Sequence, residues 1–513
     1  MKKLLLLALG ATLSISLSAE EAKWTASVNG IFKDDTAVNS GVVTIDASSN
    51  SYVAGSYNQD ATINGEAFSA IGNSAYIAKY DAAGTVKWTI SFEGAATVKS
   101  MTTDADGNLY IAGIFADEVI LGSTDSNTAT IEGAKMGDAF TTSLCASFIA
   151  KYTSAGVLAA HTEFVPEKLS EAPETYEPED GDIYFRINHI YTDGSKVYAS
   201  ALYTNETTKD NVTFKGQILD PFGIGFYMDI RGASTLSLNT DFTSCEKIAT
   251  CEGGMDYDAF AAFLPTAATV GVIDGTVYSV FAATGQAAFT YGSETKSLTN
   301  ALSEVSFTFI TSDGKFASYK IENAEGEQAQ NDIPYAFASN GANVECIGEQ
   351  WTKKDDVTTH EIFVYTLAGG NPENATVNSY VAQEGDTQYS TITGAAFANG
   401  NWIFAAEGRD AKGNASNTFR TYTLANGVLA AAPEANAYTL GSNGKVVTYA
   451  TIAGTGTTYA QYAAPTSGID DIVIGDENAP VEYYNLQGIR VDNPTPGMYI
   501  MRQGTKTSKV IIR

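Results

Sequence analysis

The sequence predicts an all-β protein built from a four-stranded unit repeated around a ring, and three observations predict it. First, segments recur in a fixed order. "AKWTASVNG" from Ala22 returns as "VKWTISFEG" from Val86, "SNSYVAGSY" from Ser49 as "GNLYIAGIF" from Gly107, and "SAYIAKYDAAG" from Ser74 as "ASFIAKYTSAG" from Ala146. Self-similarity in fixed order is the mark of a repeat architecture. Second, every recurring segment is short, alternating and rich in Tyr, Phe, Val and Thr, which suits a pleated strand. Third, an Asp-Gly or Asn-Gly dipeptide stands just ahead of the second strand, beginning at Asp106, Asp193, Asp274, Asn340, Asn399 and Asn443, with Ser48-Ser49 in that place in the first unit.

Taken in order, one unit reads as an inner strand "GVVTID" from Gly41, a tight turn, "SYVAG" from Ser51, a longer loop, "AYIAKY" from Ala75, a glycine turn at Gly84 and an outer "KWTIS" from Lys87. Later second strands are "VYASA" from Val197, "VYSVF" from Val277, "VECIG" from Val344, "WIFAA" from Trp402 and "VVTYA" from Val446. Later third strands are expected at "DAFAAF" from Asp258, "SFTFI" from Ser306, "IFVYT" from Ile362, "TFRTY" from Thr418 and "TYAQY" from Thr458. Both series give seven units of about 66 residues, enough for a four-stranded blade and its loops. The seventh unit stops after "TYAQYAAPTSG" without an outer strand, whereas "KWTAS" near the N-terminus is an outer strand without a unit. The expected fold is therefore a seven-bladed β-propeller over residues 20–467, closed by the N-terminal strand, which removes two sheet edges that could pair with another chain. A small C-terminal β module follows over residues 468–513.

"DADGNLYIAG", Asp104 to Gly113, together with "FIAKYTSAG" resembles the bacterial repeat named for seven-bladed β-propellers, in which a Gly-Asn-x-Tyr strand precedes a Phe-x-Ala-Lys-Tyr strand. The resemblance is close over the first two units and implies the ring without implying an activity. Asp104, Asp106 and Asn108 also open like a calcium loop, but the 12-residue form needs Gly sixth and Glu twelfth, where this chain has Leu109 and Phe115. A hairpin turn is the expected role, with no metal and no cofactor.

The chain has 513 residues, 30 basic against 59 acidic, for a net charge of −29. That balance argues against nucleic acid, whose phosphates need a positive footprint. "MKKLLLLALGATLSISLSAEEA" has the layout of a secretory signal, with the cut expected near Ser18 or Ala19 and residues 1–19 removed. No later stretch approaches the ~20 apolar residues of a spanning helix. The mature protein is expected to pass through the periplasm and act, as a monomer, secreted or on the cell surface. Export permits a disulfide, and Cys245 with Cys251 in "CEKIATC" is the expected pair, buried free thiols being the alternative.

The tail "GIDDIVIGDENAPVEYYNLQGIRVDNPTPGMYIMRQGTKTSKVIIR" changes texture, and from Tyr483 to Arg513 it carries five basic residues against one acid, Asp492, on an acidic protein. Its ordered motifs Tyr484-Asn485-Leu486-x-Gly488, Gly497-x-Tyr499-Ile500 and Lys509 to Arg513 resemble the C-terminal sorting domains of the type IX secretion system of Bacteroidetes. The resemblance implies an export machinery of the outer membrane as partner.

No nucleophile elbow, metalloprotease helix, phosphate loop or Cys-x-x-Cys pair is present, so no catalytic residue is assigned. Carboxylate pairs are plentiful, such as Asp256 with Asp258, Glu345 with Glu349 and Glu407 with Asp410, and a polysaccharide-acting enzyme could be built from them near the ring axis. Long excursions over residues 116–145, 165–182 and 204–257 fall in second turns and crossings on one face, where binding usually resides. They carry an acidic run from Pro166 to Asp182 with Tyr176, and the aromatic candidates Phe222, Phe226 and Tyr227. The expected function is non-catalytic binding of an extracellular protein or glycan, with the enzyme and a purely structural surface component as alternatives. The acids on the inner strands should discriminate: converging carboxylates favour catalysis, a Val, Ala and Thr lining favours binding.

Overall fold

The fold comes from a computed structural model. It describes residues 22–28, 41–133, 144–169, 183–220, 223–225, 227–256, 261–263, 265–299, 305–320, 328–354, 357–432, 436–453, 456–465, 481–485, 490–491, 494–503 and 506–512. The chain divides into two compact units, Met1–Ala464 and Pro465–Arg513.

Among the described residues of the first unit, the strands pair into seven antiparallel four-stranded meanders. The first runs Val42–Ile45, Ser51–Tyr57, Ser74–Tyr80, Val86–Glu93. The second runs Ala96–Thr103, Leu109–Phe115, Leu144–Tyr152, Leu158–Phe164. The third follows as Ile183–Thr192, Lys196–Tyr203, Gly232–Asn239, Cys245–Glu252. The fourth is Pro265–Ile273, Thr276–Thr284, Val305–Thr311, Phe316–Lys320. The fifth is Gln328–Asn340, Asn343–Lys354, Val357–Leu367, Ala375–Tyr380. The sixth is Thr387–Ala398, Asn401–Arg409, Ala415–Ala425, Val428–Ala431. The seventh combines Thr439–Ser442, Val446–Ala453 and Gly456–Ala463 with the N-terminal strand Trp24–Val28.

That last pairing is the closure expected from the orphan strand, with Trp24 opposite Gln461 and Val28 opposite Thr457. The seventh meander in turn abuts the first. Asn443 Nδ2 donates to the Asp46 carbonyl at 2.8 Å, Gln461 Nε2 to Ser51 Oγ at 3.0 Å, and the Tyr76 and Tyr459 hydroxyls meet at 2.8 Å.

The recurring letters have a packing cause. Trp88, on the outer strand of the first meander, lies against Gly156 in the third turn of the second, where an added Cβ would sit 2.9 Å from the indole. Trp24 stands in the same relation to Gly84, at 2.5 Å, so the seventh meander grips the first as the first grips the second. Both glycines also have positive φ, 79° and 83°, so two constraints select the residue. Lys79 Nζ and Trp88 Nε1 both donate to the Ser154 carbonyl, at 2.9 and 3.2 Å, which ties the Ala-Lys-Tyr strand to the neighbouring turn.

Three expectations need correction. The third strand of the third meander is Gly232–Asn239, not "DAFAAF"; Ala261–Phe263 instead forms a small hairpin with Gly254–Asp256. The true strand is buried along almost its whole length, and only Leu236 and Leu238 in it are large apolar residues, so its alternation is short and weak. The excursion over residues 204–257 therefore contains two blade strands as well as loop. Finally, Cys245 and Cys251 lie six residues apart on one strand, opposite Leu238 and Ala233, and both thiols are free. An extended strand separates such residues by roughly 20 Å, far beyond disulfide reach.

The excursions have a structural use. In the second meander the second turn forms a hairpin, Glu118–Leu121 with Ala129–Glu132, that pairs back onto the outer strand of the first meander through Ile120 opposite Glu93. The second turn of the fourth meander does the same to the third, with Gln286–Tyr291 pairing Cys245–Glu252. Both hairpins cover outer edges that would otherwise template pairing with another chain.

The dipeptide turns divide by geometry. Asp274-Gly275 and Asn399-Gly400 are two-residue hairpin turns with both residues at positive φ. At Asp104 the turn is longer: Gly107 alone is at positive φ, and the Asp104 carboxylate accepts the N–H groups of Asp106 and Asn108, the Asn108 side-chain amide and the Tyr110 hydroxyl. Asp46 organises the first unit's turn identically, with Ser49 at φ 66° in the glycine's place.

In the second unit a four-stranded sheet runs Arg490–Val491, Val481–Tyr484, Gly497–Gln503, Lys506–Ile512. The Glu482 carboxylate joins two of these strands, accepting from Arg490 at 2.8 Å and from the Tyr484 hydroxyl at 2.8 Å.

Candidate functional site

The first and innermost strands of the meanders end on a shared cavity of about 580 Å³. Every meander contributes lining: Val42, Lys99, Arg186, Thr266, Tyr335, Thr393 and Thr439 come from the first to the seventh in turn. This is the axis of the ring.

What aims these side chains inward is a repeated irregularity. In the second to sixth meanders the inner strand, which in the fifth and sixth has a second irregularity at Gln330 and Ser390, carries a β-bulge at Lys99, Asn188, Thr266, Tyr335 and Thr393 respectively. All five line the cavity. A bulge inserts one residue that opposes no partner and re-aims its side chain, a device common beside functional sites. Opposite two of these bulges the second strand carries glycine. A Cβ on Gly113 would lie 2.5 Å from the Thr97 carbonyl and one on Gly348 2.4 Å from that of Ile333, each two residues before a bulge. Aromatic rings, Phe148 and Phe363, fill the space from the third strand.

The lining is chemically uneven. The second and third meanders supply Lys99, Arg186, Asn188 and His189, and their inner strands are held together where Ser100 Oγ accepts the Ile190 N–H at 3.0 Å. Burial lowers the Lys99 ammonium pKa, with a further push from neighbouring Arg186 and a partial offset from Cys145. Burial also pulls His189 down to about 4, so its imidazole is neutral at pH 7 and offers one N–H. Its ring lies edge-on to Tyr335, with centroids 5.3 Å apart. The Tyr335 hydroxyl is held protonated by burial and by Glu349.

Two acids line the cavity, Glu349 and Glu407, and both come from second strands; no inner-strand carboxylate is among the lining residues. Glu349 is almost fully buried and accepts the Ile392 N–H. Glu407 is paired with Arg409 at 3.2 Å, and Arg409 also donates to Thr391 at 3.1 Å. Both acids therefore already hold a partner, Glu407 the Arg409 guanidinium and Glu349 the Ile392 N–H. Of the other pairs, Glu345 accepts from Asn340 and Trp402, and Asp410 organises its own turn through Lys412 and Asn414.

Of the residues expected to bind ligand, one is among the described residues. Tyr227 packs against Leu169 and Ile218 in a small satellite core. Phe222, Phe226 and Tyr176 lie outside the described residues, as does most of the acidic run from Pro166. Of the sorting motif, Tyr484, Gly497, Tyr499 and Lys509 lie on strands of the C-terminal sheet and Asn485 directly follows one; Leu486, Gly488 and Arg513 lie outside the described residues. The sequence offered one overlooked signal for the cavity: a charged residue, Lys99 or Arg186, inside an otherwise strand-like inner segment.

No protein-family profile and no curated protein matches the chain. Among solved structures it is similar to the β-propeller domain of Cps50 (Swd1) from Myceliophteria thermophila, at 9% identity over 86% of this chain and 100% of that one, TM-score 0.38. It is also similar to the full extracellular region of plexin A4, at 10% identity over 86% and 40%, TM-score 0.31. A third likeness, to an apocarotenoid oxygenase of Synechocystis, has 11% identity over 65% and 60%, TM-score 0.30. The propeller assignment here follows from the strand pairing and the ring of lining residues.

Proposed function

We propose that this is an exported seven-bladed propeller that binds an extracellular ligand without transforming it, and that the ligand enters the axial cavity. The observation that carries the reading is the convergence of five bulged residues, Lys99, Asn188, Thr266, Tyr335 and Thr393, on one cavity whose volume falls in the range of small-ligand sites. Among the described residues the lining holds no inner-strand carboxylate, which supports binding over polysaccharide hydrolysis. Filling the cavity tests it. Asn188→Trp places an indole on a bulge that already faces the axis; it should abolish capture of whatever the wild-type protein retains from a glycan and metabolite array, with the folded-state circular dichroism unchanged. Retention undiminished by this variant would overturn the assignment.

Export rests on the N-terminal signal layout and on the tail, whose basic hairpin, Gly497–Gln503 with Lys506–Ile512, would be what the outer-membrane machinery engages. A reporter carrying residues 1–21 at its N-terminus and 468–513 at its C-terminus is expected on the surface or in the medium of a host possessing type IX secretion. Periplasmic retention in that host would exclude the sorting role.

A further inference from the structure

Lys99 and Arg186 face the same cavity and lie close enough for the guanidinium to disfavour charge on the lysine. Among the described residues neither has an ion-pair partner, on a chain with 59 acids to 30 bases. The Arg186 guanidinium lies 4.0 Å from the Tyr184 ring centroid, and its Nε is buried with no hydrogen-bond acceptor. The carboxylates that could neutralise this pair are committed across the cavity, Glu407 to Arg409 and Glu349 to a backbone N–H. Removing two like charges from bulk water without a counter-charge is costly, and a fold that keeps them so is arranged for a charge that arrives from outside.

Resting on the axial-cavity reading, we propose that Lys99 and Arg186 form an oxyanion site, and that the natural ligand is a small organic molecule bearing a carboxylate, sulfate or phosphate group. Arg186 supplies a planar fork suited to two oxygens of one such group and Lys99 a point charge beside it. Asn188, the neutral His189 and the Tyr335 hydroxyl add donors around the same space. Val42, Ile333, Ile392 and Phe419 offer apolar wall for the ligand's body. A neutral sugar would leave both cations unanswered, so the site discriminates by charge.

The test is a titration of the intact protein, followed by thermal shift and calorimetry, with sodium sulfate, inorganic phosphate, glucuronate and glucose, against sodium chloride at matched ionic strength. One or more of the three oxyanions should raise the unfolding temperature saturably, while glucose and chloride should not. Arg186→Gln and Lys99→Gln should each weaken that binding at least tenfold, and ligand-free Lys99→Gln should unfold at a temperature no lower than the wild type, because a repulsion is removed. Saturable binding that both glutamine variants retain would overturn the oxyanion site, as would no response to any oxyanion. If neutral ligands bind and only Asn188→Trp blocks them, the cavity reading stands and the charge assignment falls. If ligands bind and Asn188→Trp blocks none, both fall.

Discussion

Deleting residues 20–28 is expected to lower the urea midpoint sharply and to make the protein associate more than the full chain does at the same concentration. The strand Trp24–Val28 supplies the outer edge of the seventh meander along five consecutive pairs with Gly456–Ala463. Without it the 456–463 strand presents unpaired N–H and C=O groups to solvent, the template for edge-to-edge pairing. The loss reaches the first meander too. Trp24 is buried, stacks on Tyr80 with ring centroids 5.3 Å apart, and covers Gly84. Trp24→Ala isolates this packing from the backbone ladder and should cost about 3–5 kcal/mol. The two variants separate packing from edge protection: Trp24→Ala should be destabilised with no added association, the deletion destabilised and associating. Equilibrium urea unfolding and light scattering read the two effects, and a deletion variant with an unchanged midpoint would show that the ring is not closed by this strand.

How much of this was legible depended on whether a residue's job was local or set by a neighbouring unit. The repeat letters could be read because each does the same thing wherever it occurs: Trp24 and Trp88 each cover the turn glycine of the next unit, and Asp46 and Asp104 each organise the first turn. The closure of the ring was readable for the same reason, since an outer strand without a unit needs a unit without an outer strand. The third meander failed because burial on both faces lets small and hydroxyl residues fill half of its third strand. In "GASTLSLN" only Leu236 and Leu238 mark the alternation, whereas "DAFAAF" offers a stronger false signal. The cavity was hidden more deeply. A bulge shifts the inward-facing set by one residue, so Lys99 and Asn188 sit where a regular two-residue period would not place them. Long loops and aromatic clusters are visible in the sequence, as at Tyr227, which packs on a satellite core, whereas the bulged inner strands are not.

Acidification from pH 6.5 to about 4 is expected to destabilise the propeller through two histidines, and His360→Phe should remove a large part of that loss. His360 is fully buried opposite Trp351, with ring centroids 4.6 Å apart, and neither ring nitrogen has a hydrogen-bond partner. Burial, reinforced by the Arg409 guanidinium and partly offset by Asp410, pulls its pKa from 6.5 down to about 4; burial does the same to His189. The sign follows from proton linkage. As pH falls through 6.5 the unfolded chain takes up protons that the folded chain refuses, so the stabilising contribution is complete above 6.5, declines across the window and is gone near 4. For a shift of this size the loss is about 3 kcal/mol per histidine. Carboxylates with lowered pKa, such as Asp410 and Glu163, act mostly below this window, because their contribution begins to fail only near the ordinary carboxylate values. Phenylalanine keeps the edge-on contact with Trp351 and removes two unpaired polar atoms, so His360→Phe should be at least as stable as wild type at pH 7 and should lose less than wild type on going to pH 4.5. Urea midpoints at several pH values give the slope directly. A variant whose midpoint falls as steeply as the wild type's would mean that His360 does not titrate with unfolding, and the acid sensitivity would then pass to His189 in the cavity wall.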